Sequence, residues 1–120
     1  MYGTIIYLKL NNGTLEYRDS EGHQGNTITT HAKHNGKIIW KLDQCSGIAE
    51  ITGIKIEGDI NILNGKPRKV DFNQWEARAA EESEGEVSYT VEVEKCKYVK
   101  DEGVEIQGLK DSRPPLLRIP

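Results

Sequence analysis

The sequence predicts an all-β fold, an antiparallel Greek-key β-sandwich, and three observations carry that expectation. Residues 86–95 alternate strictly, with Val87, Tyr89, Val91 and Val93 on one side and Ser88, Thr90, Glu92 and Glu94 on the other, which is the period of a half-buried strand. Asn-Gly pairs stand at 12–13, 35–36 and 64–65, where both residues tolerate the positive φ that tight turns demand. Between such turns lie roughly seven to nine short apolar or alternating runs at intervals of about 8–12 residues, the spacing of a sandwich rather than of an α/β fold.

Thr4–Leu10 is rich in β-branched and aromatic side chains, and Asn11-Asn12-Gly13 turns it into a return strand, Thr14–Arg18, with Leu15 and Tyr17 facing inward. Asp19–Asn26 holds two glycines and mostly polar residues and reads as a loop. Thr27–Leu42 carries the strongest local signal. Ile28, Thr30, Ala32 and His34 share one face before Asn35-Gly36, and Ile38, Trp40 and Leu42 share one after it. The dipeptide suits a type I′ turn, so the stretch is expected to be the central hairpin, with Trp40 as the largest core side chain.

Asp43–Gly47 is a turn, and Ile48–Ile56 a strand whose Gly53 suits a bulge. A short apolar piece, Ile60–Leu63, ends at Asn64-Gly65-Lys66-Pro67. Phe72–Glu84 carries two patterns. Trp75, Ala77 and Ala79 alternate as in a strand, whereas Asn73 with Glu76 resembles a capping box and the alanines favour a helix. We read it as strand, with one short helix near 72–84 as the alternative. Tyr89 is expected at the centre of the core, Val104–Leu109 as a short strand, and Leu116–Ile119, flanked by prolines, as an edge strand or polyproline segment.

The chain has 120 residues, enough for one core, so residues 1–120 are expected to form a single domain. Net charge is −3 with acidic and basic residues interspersed along the sequence, which argues against nucleic acid and anionic membrane as partners. The N-terminus lacks the pattern of a signal peptide and no apolar run spans a bilayer, so a soluble, cytoplasmic protein is expected. Cys45 and Cys96 are the two cysteines, expected as free thiols in that compartment rather than as a bridge. The immunoglobulin pattern fails, because Trp40 precedes Cys45 and Tyr98 follows Cys96.

Two stretches, Asn35–Leu42 entering Trp40 and Gly85–Val93 around Tyr89, resemble the cupredoxin-like β-sandwich family over about two thirds of the chain. The resemblance implies a sandwich fold. It implies no copper site, since Lys97-Tyr98-Val99-Lys100 follows Cys96, no histidine follows His34, and Met1 is the only methionine.

Candidate sites are few. His23, His31 and His34 lie within twelve residues and are the candidate metal ligands, but strand geometry turns His31 and His34 to opposite faces. Glu81, Glu82, Glu84 and Glu86 read as a solvated acidic loop. Lys66, Arg68 and Lys69, and Lys95, Lys97 and Lys100, read as guards of strand edges. Cys45 beside Ser46-Gly47 matches no nucleophile motif. The expected function is a non-catalytic binding or protein-interaction module without a cofactor, using the polar loop 19–26 or the apolar tail 116–119 to hold a protein or small-molecule partner. Self-association through edge strands or the C-terminal segment belongs to the same expectation. The alternative is a small metal-binding or redox protein built on the three histidines.

Overall fold

The first Asn-Gly pair makes the turn its chemistry dictates. Asn12 and Gly13 both take positive φ, 56° and 80°, and close a hairpin between β1 (Gly3–Asn11) and β2 (Thr14–Asp19) in which Asn11 faces Thr14. The computed structural model describes residues 3–96 and 115–119. The remaining strands are β3 (Gln24–Gly25), β4 (Thr29–His31), β5 (Lys37–Leu42), β6 (Ile48–Gly58), β7 (Arg68–Asp71), β8 (Gln74–Arg78), β9 (Gly85–Lys95) and β10 (Leu116–Ile119). They form two sheets, ordered β3-β2-β1-β5-β8-β7 and β4-β10-β9-β6, so the all-β sandwich expected from the sequence is the observed architecture.

The sheets are mixed rather than purely antiparallel. β1 runs parallel to β5, and β4 parallel to β10. The cause lies at the second Asn-Gly pair, where the expected central hairpin is absent: β4 and β5 belong to different sheets. Only Asn35 has positive φ there, 61°, and the Gly36 N–H donates to Lys33 O at 2.9 Å. A turn with one left-handed residue at its third position is not type I′, which needs two. It carries the chain from one sheet to the other. Ile28, Thr30 and Ala32 are buried as the alternation requires, but their strand pairs with β10, through Leu116 N–H to Ile28 O and Ala32 N–H to Arg118 O, both 2.9 Å.

Residues 72–84 contain no helix. β8 pairs with β5 so that Trp75 faces Trp40 and Ala77 faces Ile38. The Trp75 indole N–H donates to Ile51 O at 3.0 Å, across to the second sheet. Burial of these side chains outweighs helix propensity in so short a segment. The apolar piece after Asp59 is a single 3₁₀ turn, Ile60–Ile62, capped by the Asp59 carboxylate on the Asn61 N–H. Gly53 lies at a register shift between β6 and β9, as a bulge glycine should.

The C-terminal segment differs most from expectation. β10 is neither an edge strand nor a polyproline tail; it lies between β4 and β9 with Leu117 and Ile119 buried. It is therefore unavailable as a docking strand. Expectations for residues 97–114, including a strand at 104–109, lie outside the described residues. Among the described residues no helix is long and apolar enough to cross a membrane.

Trp40 and Tyr89 are the largest fully buried side chains. They meet edge to face with centroids 5.5 Å apart, and Tyr17 meets Tyr89 in the same manner at 5.9 Å. The Tyr89 hydroxyl and the Trp40 Nε1 have no hydrogen-bond partner among the described residues. Burial, and to a lesser extent Tyr17, pushes the Tyr89 hydroxyl well above the usual phenol range. A buried hydroxyl without a partner costs about 1–3 kcal/mol in lost hydration. Tyr89→Phe is accordingly expected to leave unfolding free energy unchanged or raise it by about 1 kcal/mol. A loss of that size in urea denaturation would show that the hydroxyl has a partner.

Candidate functional site

Two places collect chemistry-bearing side chains. The first grows from the end of β2. Leu15, Tyr17 and Asp19 all point inward along that strand, so period two delivers a carboxylate to the core edge. Asp19 is 2% exposed. Its Oδ1 accepts the backbone N–H groups of Glu21 at 3.0 Å and His23 at 2.9 Å, which folds the loop around it. Its Oδ2 accepts the Thr30 hydroxyl at 2.6 Å and lies 2.9 Å from His23 Nδ1. Thr30 stands on β4, so this carboxylate ties the two sheets together. Burial opposes ionisation of Asp19, but the hydrogen bonds from Thr30 and His23 outweigh it and hold the carboxyl below its usual range. The same bond to Asp19 raises His23, against a smaller opposing effect of burial and with help from Glu21.

Glu21 extends the cluster outward. Its Oε1 accepts the His31 backbone N–H at 3.1 Å and lies 3.2 Å from His31 Nδ1 and 3.5 Å from His23 Nδ1. The two imidazole centroids are 6.1 Å apart. Of the three candidate histidines, then, His23 and His31 meet, and His34 is elsewhere. The acidic members Asp19 and Glu21 escaped the sequence reading. Extending the alternation of Leu15 and Tyr17 by one more step would have found Asp19.

The second place is the outer face of the larger sheet. Ile5 and Ile39 face each other across β1 and β5 and form an apolar floor. The 33–36 turn, Lys37 and Arg78 rim a groove of about 910 Å³ above it. A second depression, about 370 Å³, shares Lys37 and Arg78 and adds Lys66, Arg68 and Glu76. Lys37 faces Arg78 in register, Lys37 Nζ lies 3.8 Å from Glu76, and the Arg78 guanidinium donates to Asn35 O at 2.8 Å. Charges interspersed along the sequence are thus segregated in space. Among the described residues, Lys37, Lys66, Arg68 and Arg78 line these depressions with Glu76 as the carboxylate between them, and Lys33 stands at the rim of the larger groove. Lys69, their sequence neighbour, leaves this face to pair with Glu50.

The other candidates stay apart. Glu81, Glu82, Glu84 and Glu86 are exposed. Cys45 is exposed in a left-handed turn conformation, φ 53°, Cys96 is half-buried, and both are free thiols. Comparison with protein-family models finds no match, and comparison with curated proteins finds none.

Proposed function

We propose that this chain is a non-catalytic binding module whose groove over β1, β5 and β8 receives an acidic segment of a partner protein. The observation that carries the reading is the convergence of cations from residues 33–37, 66–68 and 78 around the Ile5 and Ile39 floor. Basic side chains with exposed tips and apolar stems steer and orient an anionic partner. The aliphatic floor favours a peptide bearing apolar residues among its acids. The two joined depressions offer an extended track rather than a closed chamber. Because the cations are exposed, attraction falls with salt over a Debye length of about 8–10 Å.

Fluorescence anisotropy of a labelled peptide alternating glutamate and leucine tests this. The double variant Lys37→Glu, Lys66→Glu replaces exposed side chains and is expected to keep the fold. It should weaken binding at least about tenfold, equivalent to 1.4 kcal/mol. Unchanged affinity in the double variant, or no binding by the parent protein at low salt, ends the proposal.

A further inference from the structure

The acid-histidine cluster lies apart from the groove and holds donors of a different chemistry. We infer that Asp19, Glu21 and His23 form a three-ligand binding site for a divalent transition-metal ion, zinc foremost, with water completing the coordination. Asp19, Glu21 and His23 each offer one donor atom, all within 4.8 Å of one another. The two separations of 2.9 Å from His23 Nδ1 to Asp19 Oδ2 and 3.5 Å from His23 Nδ1 to Glu21 Oε1 bracket the edge of a zinc tetrahedron. Metal–nitrogen and metal–oxygen bonds of about 2.0–2.1 Å put that edge near 3.3 Å.

Donor type agrees with the spacing. Imidazole nitrogen with carboxylate oxygen is a zinc set, and two carboxylates balance the charge of a dication. The outer bonds that orient ligands in metal sites are also in place. Asp19 is held by two backbone N–H groups and by Thr30, as a ligating carboxylate is held in established sites. The rings and Glu21 are partly open to solvent, at 43%, 40% and 38% exposure. A shallow cleft of about 410 Å³ alongside Glu21 and His31 supplies an entry path and room for water ligands. Binding requires His23 to carry its proton on Nε2, so that its Nδ1 lone pair faces the ion. The bound ion would pin the 19–23 loop around Asp19, whose Oδ2 already accepts the Thr30 hydroxyl of β4.

Isothermal titration calorimetry of the tag-free full chain with zinc chloride tests the site, with thermal melting as a second readout. The expected result is one ion per chain and a rise in Tm with zinc but not with magnesium. Glu21→Gln should weaken zinc at least tenfold while melting like the parent protein in chelator, and His23→Ala should weaken it as much while also lowering the metal-free Tm through the lost bond to Asp19. His34→Ala and Cys45→Ser should bind as the parent does. Asp19 is left intact, because its loss strands the Thr30 hydroxyl. No heat and no Tm change at millimolar zinc overturns the inference. So does loss of binding in His34→Ala or Cys45→Ser, or a sulfur-to-metal band in the cobalt spectrum.

Discussion

Truncation after Ser112 is expected to abolish cooperative folding at 25 °C. The deleted segment contains β10, whose backbone bonds to β4 on one side and β9 on the other. Leu117 is 0% and Ile119 1% exposed, and burial of two such side chains contributes roughly 3–6 kcal/mol. Removing them also leaves facing edges of β4 and β9 without their ladder partners, so each orphaned buried group adds its own penalty. The sum is comparable with a total stability of about 5–15 kcal/mol. Far-ultraviolet circular dichroism during a melt reads the result. A sigmoidal transition within a few degrees of the full-length Tm would contradict the placement of β10 inside the sheet.

Trp40→Ala is the second large effect, an expected loss of about 3–5 kcal/mol. Trp40 is 0% exposed, faces Ile6 on one neighbouring strand and Trp75 on the other, and reaches across the sandwich to Tyr89. No adjacent side chain can refill that volume without moving both sheets, so most of the void remains as a cavity. Trp75→Ala should cost less, because Trp75 is only half-buried, although it also forfeits the bond to Ile51 O. Urea denaturation measures both, and since the chain has two tryptophans, each variant keeps one fluorescent reporter. Equal losses at the two positions would show that Trp40 is not the principal tie between the sheets.

The candidate surfaces are partly legible in the sequence. His23 and His31 were candidates from sequence clustering alone, and they do meet, but through Glu21, a loop residue with no motif around it. Lys66 and Arg68 looked like guards of an edge strand. Their association with Lys37 and Arg78 needs β7, β8 and β5 to be neighbours, and no local pattern encodes that neighbourhood.

What the sequence determined by itself is local: the inward faces of the clearly alternating strands, the hairpin at Asn11-Asn12-Gly13, and Trp40 and Tyr89 as the core. These follow from side-chain alternation and from the φ preferences of two adjacent residues, which act within a few ångströms of the chain. Only the tertiary structure decided which strand edges bond. The same Asn-Gly dipeptide closes a hairpin at 12–13 and sends the chain to the opposite sheet at 35–36. The second outcome depends on β10, about 80 residues away in sequence, filling the place beside β4. Hydrophobic burial specifies a face and is indifferent to the partner, so pairing, parallel direction and the gathering of cations were settled by competition among all strands at once.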